Sequence, residues 1–201
     1  MSPPSEGPPD PAFPAPGTEH GEFTPEERGI LLALAREAIL STLENREISL
    51  QPPSSHLGEP RGVFTTIHVR GVLRGCVGLV SAVKPLYRNV VETACAAAFE
   101  DARFPSVTRE ELPHLALGLS ILSPLKPIAA EEIETGRHGL VISLDGHRGL
   151  LLPQVPVEHG WDRIAFLEQT CRKAGLSVEA WKHGAQIEAF TAEVFGDQDP
   201  R

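Results

Sequence analysis

Six consecutive residues, Leu-Arg-Gly-Cys-Val-Gly at positions 73–78, place an arginine two residues before a cysteine. In a β-strand, residues two apart share a face, so we expect Arg74, Cys76 and Gly78 to point the same way. A guanidinium close to a thiol favours the thiolate, the form that attacks electrophiles. Gly75 and Gly78 would let a ligand or a neighbouring strand approach the backbone. The segment therefore predicts a site in which Cys76 is a nucleophile and Arg74 binds an anion.

A structural explanation of the same six residues is also open. Cys76 would then be a small buried side chain, Arg74 would pair with a nearby carboxylate, and the two glycines would permit close strand packing. The two explanations differ in the surroundings they require. The first needs Arg74 and Cys76 to share a solvent-accessible hollow, whereas the second needs both side chains to be covered or paired.

Asp101 and Arg103 form a second polar cluster at the end of a predicted helix. The helix must stop there, because Pro105 disfavours helical geometry in the residue that precedes it. From this position the two side chains could reach the end of a sheet and complete a polar site with Arg74 and Cys76. A local ion pair that terminates the helix is the alternative.

His138 and Gln154 form a third cluster if Asp145 and Gly146 are the turn of a hairpin. That turn pairs Ile142 with Gly149 and brings His138 to the open end of the hairpin, near Gln154. A histidine near its ordinary pKa could act there as an acid or a base. A solvated histidine without a catalytic role is the alternative.

Composition narrows the classes of protein that fit. The chain has 201 residues, with 18 Lys+Arg against 27 Asp+Glu and a formal net charge of −9. This balance excludes a dedicated duplex-DNA binder, which needs a basic face. The sequence contains no run of 18 consecutive apolar residues, so no membrane-spanning helix is predicted. Three cysteines without a C-x-x-C pair or metal-ligand spacing predict free thiols, no metal site and a cytoplasmic location.

Hydrophobic periodicity supplies the elements that must position these residues. Residues 1–22 contain seven prolines and predict a disordered tail, followed by one domain over residues 23–197. The residues Thr24-Pro25-Glu26-Glu27 form a capping box, which predicts a helix from there to Asn45. Further helices are predicted at 85–101 and 161–174, and strands at 63–69, 72–79, 115–122, 139–144, 147–152 and 185–195. Antiparallel hairpins separated by helices indicate an α+β fold with a mixed or antiparallel sheet.

The six residues at 73–78 also resemble the hallmark of the AMMECR domain family, with Val77 in place of the usual isoleucine. Further segments resemble the family in the same order along the chain, over roughly residues 24 to 195. They include residues 101–105, 119–122, 138–140, 149–155 and 171–176. The resemblance implies a single α+β domain with two unequal lobes and places the 73–78 motif on a strand at a cleft.

For function, the resemblance implies partners and not a reaction. Prokaryotic members are often grouped with a Memo-type protein and a radical S-adenosylmethionine enzyme. This sequence lacks the C-x₃-C-x₂-C run of such an enzyme, so radical chemistry would belong to the partner. No cofactor, substrate or oligomeric state follows from the sequence.

Two hypotheses result. In the first, the chain is an enzyme or an enzyme component in which Arg74 and Arg103 hold an anionic small molecule, Cys76 is the nucleophile and Asp101 orients it. In the second, the chain is a non-catalytic adaptor that docks a partner protein through the same surface. His138, Gln154 and the glycines would then contribute shape and not reactivity.

Overall fold

The structure is a computed structural model, and it describes residues 21–80 and 82–197. The chain divides into two compact units of unequal length, one ending at Ser120 and resuming at Val194, the other formed by Ile121–Glu193. Helices combine with two four-stranded sheets, which confirms the α+β class. The tail predicted for residues 1–22 lies outside the described residues except for its last two. The single domain over residues 23–197 stays a prediction.

The described residues contain four α-helices and eight strands. The helices are α1 (Pro25–Leu43), α2 (Leu86–Phe99), α3 (Gln154–Glu158) and α4 (Arg163–Lys173). The strands are β1 (Val63–Val69), β2 (Val72–Leu79), β3 (Leu115–Leu122), β4 (Lys126–Pro127), β5 (Gly139–Leu144), β6 (His147–Leu151), β7 (Gln186–Phe190) and β8 (Ala192–Gly196). One sheet has the order β2-β1-β3-β8 and the other β4-β7-β5-β6, so β2 and β6 are edge strands.

Helix α1 begins at the predicted capping box. The backbone N–H of Glu27 donates to the Thr24 hydroxyl at 3.2 Å, and the Thr24 N–H donates to the Glu27 carboxylate at 3.0 Å. These bonds satisfy backbone donors that the first turn of a helix leaves unpaired. The side of α1 that is fully buried carries small and branched apolar residues, including Leu31, Ala35 and Ile39.

Both predicted hairpins are confirmed. The turns adopt the positive φ angles that two-residue hairpin loops require, 52° and 80° at Arg70 and Gly71, and 50° and 83° at Asp145 and Gly146. In the second hairpin, Ile142 pairs with Gly149, as the turn predicted. The two-residue side-chain period therefore holds along both strands of that hairpin.

The first hairpin contains an irregularity that the sequence did not predict. Ile67 pairs with Gly75 while its neighbour His68 pairs with Leu73, which leaves Arg74 as an extra residue on β2. An extra residue of this kind is a β-bulge, and it re-aims the side chain that it carries. The alternation that was expected to align Arg74 with Cys76 is therefore interrupted at Arg74.

Helix α2 packs against β1 and β2 through its alanine-rich side, as its composition predicted. Val90 and Ala94 are fully buried there, and Ile67 is buried on β1. At Gly75 the strand approaches the helix so closely that a Cβ would overlap the carbonyl oxygen of Ala97. Gly75 therefore permits the helix to lie directly on the strand.

Several predicted boundaries differ from the observed ones by one or two residues, and two of the differences have an identifiable cause. The predicted strand 185–195 is interrupted at Thr191, and β7 and β8 belong to different sheets. Thr191 exchanges two hydrogen bonds with Ser123, of 2.9 and 3.0 Å, which replace a continuous ladder at this point. The helix predicted from Trp161 begins at Arg163, because the Asp162 side chain accepts the Ala165 N–H at 2.8 Å and caps the helix.

None of the helices described here is long and apolar enough to span a bilayer.

Candidate functional site

Asp101 and Arg103 fix the backbone of Cys76 at the edge of the first sheet. The Cys76 N–H donates to the Asp101 carboxylate at 2.9 Å, and the Cys76 carbonyl accepts from Arg103 Nη2 at 3.2 Å. Because β2 is an edge strand, backbone groups that point away from β1 lack a strand partner. The two side chains supply those partners, and they hold Cys76 in place from outside the sheet.

Asp101 and Arg103 also pair with each other. The Asp101 carboxylate accepts from Arg103 Nε at 2.9 Å and from Nη2 at 2.7 Å. These bonds, opposed by burial and supported by the Cys76 N–H, hold the pKa of Asp101 well below its ordinary value. The pKa of Arg103 is raised by the same pair. Asp101 therefore stays ionised at neutral pH, which suits it to orient its neighbours and not to exchange protons.

The Cys76 thiol is half-buried on the face of β2 opposite to the one that packs on α2. Thr66, its cross-strand neighbour on β1, donates a hydrogen bond to the sulfur at 3.4 Å. On the same face, the Phe64 ring covers Gly78 so closely that a Cβ at Gly78 would overlap it. Thr66 and Phe64 were missed, because only the bulge at Arg74 shifts the register so that they lie opposite Cys76 and Gly78.

The Arg74 guanidinium is bound within the first unit through all three of its nitrogens. Nε donates to Glu111 at 2.9 Å, and Nη2 donates to Glu111 at 3.3 Å and to the Ser106 carbonyl at 3.1 Å. Nη1 donates to the Pro105 carbonyl. The Arg74 side chain is only 14% exposed. Arg74 thus takes the carboxylate partner that the sequence had left as the alternative, and it ties β2 to the segment that follows α2.

Glu111 is the partner that the sequence analysis did not identify. Its hydrogen bonds with Arg74, opposed by burial and supported by the Thr108 N–H, lower its pKa. The residue lies 37 positions from Arg74 in the chain, and only a capping pattern with Thr108 marks it in the sequence. Such a pattern predicts a helix start and gives no indication of a long-range ion pair.

His138 and Gln154 belong to the second unit. The His138 ring is half-buried, and its Nδ1 accepts the Glu134 N–H at 3.1 Å. In the neutral ring the proton therefore lies on Nε2, which makes that nitrogen a donor. Gln154 is a half-buried residue at the start of α3. The catalytic role of His138 and the binding role of Gln154 stay predictions.

The six predicted site residues of the first unit thus lie on β2 and on the segment directly after α2: Arg74, Gly75, Cys76, Gly78, Asp101 and Arg103. Four hydrogen bonds join the two stretches: one to Asp101, one from Arg103 and two from Arg74. Within residues 21–80 and 82–197, no three His, Cys, Asp or Glu side chains are grouped so that they could hold a metal ion.

Comparison with known proteins identifies relatives over most of the chain. The AMMECR1 family model matches residues 32–195. Protein MK0488 of Methanopyrus kandleri is 41% identical over 191 residues, which cover 89% of this chain and 92% of the relative. Protein MJ0810 of Methanocaldococcus jannaschii is 39% identical, covering 89% and 94%. The crystal structure of the uncharacterized protein PH0010 from Pyrococcus horikoshii superposes with a TM-score of 0.72 at 39% identity, covering 86% and 92%.

Proposed function

Because this chain belongs to the AMMECR1 family, we propose that it is an enzyme or an enzyme component whose site is built around Cys76. The observation that carries the proposal is the fixing of Cys76 from both sides, by Asp101 at its N–H and by Arg103 at its carbonyl. A reactive group held by side chains that are themselves fixed is preorganised for chemistry. The resemblance adds Memo-type and radical S-adenosylmethionine proteins as proposed partners.

The exposure of the two arginines supports different roles for them. The Arg103 side chain is 58% exposed, whereas that of Arg74 is 14% exposed and binds Glu111. We therefore propose that Arg103 is the main binding partner of an anionic small molecule and that Arg74 holds β2 in position. Asp101 orients Cys76 and Arg103. Gly75 permits the close approach of α2 on the other face of β2, and Gly78 permits the Phe64 ring to cover the strand beside the thiol.

His138 and Gln154 belong to the second unit and not to the Cys76 site. With its proton on Nε2, His138 would take part in the predicted catalytic role by donating a hydrogen bond from that nitrogen to an anion. Gln154 would contribute a side-chain amide to a ligand bound in the second unit. Each can be tested separately, because the variants His138→Gln and Gln154→Ala lie outside the contacts that hold Cys76.

A non-catalytic adaptor is the second candidate function. It is favoured by the internal pairing of Arg74 with Glu111 and of Asp101 with Arg103, since such pairs can serve to shape a rigid surface. In that case a partner protein would dock on the face that carries Thr66 and Cys76, and the thiol would provide contact area and no chemistry.

The reactivity of Cys76 tests the enzymatic proposal, with two internal controls in the same chain. Cys95 is also half-buried, and its sulfur lies 3.7 Å from the Ala38 carbonyl, while Cys171 is fully buried. Under native conditions we expect iodoacetamide to modify Cys76 at least about tenfold faster than Cys95 and to leave Cys171 unmodified until the protein unfolds. Mass spectrometry of the three peptides over time gives the rates. Equal rates at Cys76 and Cys95 would argue against a reactive centre.

A pair of variants separates the two candidate functions. Cys76→Ser and Cys76→Ala should leave the unfolding temperature nearly unchanged, because the thiol is only half-buried. If the chain is an enzyme, both variants lose the ability to replace the natural protein in its source cell. Full complementation by Cys76→Ala, together with undiminished capture of a Memo-type partner, would support the adaptor.

A further inference from the structure

A charged cluster joins the segment before α1 to the short 3₁₀ helix at His56–Gly58 in the first unit. The His56 ring stacks on the buried Phe23 ring, with centroids 4.8 Å apart and an angle of 12° between the planes. Its Nδ1 lies 2.8 Å from the Glu27 carboxylate, and its Nε2 lies 3.5 Å from the Glu22 carboxylate. The imidazole thus stands between two carboxylates, one at each nitrogen.

The groups around this imidazole are themselves paired. Arg61, whose side chain is 12% exposed, donates to Glu22 at 2.8 Å and contacts Glu59 at 2.9 Å. The second oxygen of the Glu27 carboxylate accepts the N–H and the hydroxyl of Thr24, each at 3.0 Å. Among the described residues, Glu22 and Glu27 thus face the ring with their carboxylates, and Arg61 stands behind Glu22.

The other side of the 3₁₀ segment is fixed to α2. Leu57 is fully buried, and the Glu59 carbonyl accepts the Leu86 N–H at 2.9 Å. The Asn89 side chain donates to the Arg61 carbonyl at 2.8 Å. The loop is therefore anchored to α2, and His56 and Arg61 both connect it to Glu22 in the segment before α1.

The two ring nitrogens respond differently when the imidazole loses its proton. Only the charged ring can donate from both nitrogens. With Glu27 closer than Glu22, the neutral ring keeps its proton on Nδ1, and the lone pair of Nε2 then faces the Glu22 carboxylate. Deprotonation therefore preserves the contact with Glu27 and converts the contact with Glu22 from attractive to repulsive.

We propose that His56 is a protonation-dependent clasp, which binds Glu22 to the 3₁₀ loop together with Arg61 when its ring is charged and leaves Glu22 to Arg61 alone when its ring is neutral. The device is independent of the Cys76 site and shares no residue with it. It gives the first unit a means of responding to pH that does not require a ligand.

The surroundings set the pH range in which the clasp opens. The hydrogen bond to Glu27, opposed by burial and supported by Glu22, raises the pKa of His56 above its ordinary value of 6.5. The hydrogen bond from Thr24 lowers the pKa of Glu27, and bonds from Arg61 lower that of Glu22 although burial opposes the change. The stabilisation is complete below about pH 6.5 and is lost as the pH rises through the raised pKa of His56.

Thermal unfolding at two pH values tests the clasp. At pH 6, His56→Gln should lower the Tm by about 2–4 °C, the shift that a loss near 1 kcal/mol produces in a chain of this length. At pH 9 the neutral ring keeps only its hydrogen bond to Glu27 and its stacking on Phe23, so the Tm difference between the two proteins should be clearly smaller than at pH 6. His159→Gln is the matched control, because the His159 ring also stacks on an aromatic ring, that of Trp161, at 4.6 Å. An equal loss at both pH values for His56→Gln would overturn the proposal.

A second variant tests whether the contact with Glu22 is the one that responds to the protonation of His56. Glu22→Gln removes the carboxylate that faces Nε2 and leaves Arg61 its contact with Glu59. In the natural protein, hydrogen exchange at residues 54–60, corrected for the intrinsic pH dependence, should be faster at pH 9 than at pH 6. The variant should show no such difference. If both proteins show the same difference, Glu22 is not the sensing partner and the clasp is wrong.

Discussion

The two hairpins of this protein pack against a helix in the same way, but the arginines on their second strands differ in burial and in hydrogen bonding. Each has an arginine followed by a glycine on its second strand, Arg74-Gly75 and Arg148-Gly149. In each, the glycine lies directly against a helix, so that a Cβ would overlap backbone atoms at the end of α2 or of α4. The close contact between hairpin and helix is therefore common to both units.

The arginines distinguish the two hairpins. Arg148 lies in a regular ladder, is 55% exposed, and approaches Glu188 only to 4.0 Å. Arg74 lies at a bulge, is 14% exposed, and holds Glu111 and two carbonyls. The comparison teaches that the glycine meets a requirement of the fold, whereas the arginine clamp is an addition specific to the strand that carries Cys76.

Replacing Gly75 or Gly149 should disrupt the close contact between hairpin and helix that both units share. Of the substitutions considered, these should have the largest effect on stability. Gly75→Ala and Gly149→Ala each place a methyl group on backbone atoms that cannot move aside without shifting a helix. We expect each variant to lose about 3 kcal/mol or more of the free energy of unfolding, as overpacked sites do. Urea denaturation followed by circular dichroism measures the loss.

Gly29→Ala is the matched control for these substitutions. Gly29 lies within α1, and a Cβ there would meet no atom within 4 Å. This variant should gain about 0.5–1 kcal/mol, because alanine favours a helix more than glycine does. A tolerated Gly75→Ala would mean that α2 can withdraw from β2, and the close contact that both units share would then not be a packing constraint.

Replacing the arginines should separate the hairpins, with a smaller effect. Arg74→Lys keeps the charge and loses the planar fork that reaches Glu111 and the carbonyls together, so we expect a loss of about 2 kcal/mol. Arg148→Lys should change the free energy of unfolding by less than about 0.5 kcal/mol, since exposed ion pairs contribute little. Urea denaturation of the two variants measures the difference.

A double-mutant cycle shows whether the ion pair with Glu111 is the reason why Arg74 contributes more to stability than Arg148. The coupling free energy between Arg74→Ala and Glu111→Ala should be about 1–2 kcal/mol, as for residues in direct contact. A coupling close to zero would place the effect of Arg74 in its bonds to the carbonyls, and the ion pair would not explain the difference between the hairpins.

The sequence predicted those parts of the fold that depend on local patterns. The capping box at Thr24, both hairpin turns and the pairing of Ile142 with Gly149 follow from residues close together in the chain. The break at Thr191 was missed, because alternation continues across it and only the bonds with Ser123 mark the change of sheet. Tertiary contact decides such boundaries, and a local pattern does not contain it.

Two contacts at Cys76 were predictable from the sequence, whereas the contacts of Arg74 were not. Asp101 and Arg103 were expected to meet the strand that carries Cys76, and their hydrogen bonds make that contact. The role of Arg74 depends on a β-bulge that the sequence pattern does not predict. It also depends on Glu111, which is distant in the sequence. Side-chain direction at an irregular strand and long-range pairing both require coordinates.

The smallest expected effect concerns the carboxylate that caps Cys76. Asp101→Asn keeps an oxygen for the Cys76 N–H and loses the charge that faces Arg103, so we expect a loss of about 1 kcal/mol at pH 7. Asp145→Asn in the second hairpin is the control, because asparagine suits the positive φ of that exposed turn position equally well. Its effect should be within about 0.5 kcal/mol.

The pH dependence of that loss identifies its cause. Since the folded pKa of Asp101 is depressed, its charge stabilises the protein above the ordinary pKa of 3.8, and the stabilisation decreases as the pH falls towards the folded value. The difference between the natural protein and Asp101→Asn should therefore narrow between pH 5 and pH 3. A difference that stays constant over this range would assign the loss to altered hydrogen-bond geometry, and the charged clamp on Cys76 would then not set the first hairpin apart from the second.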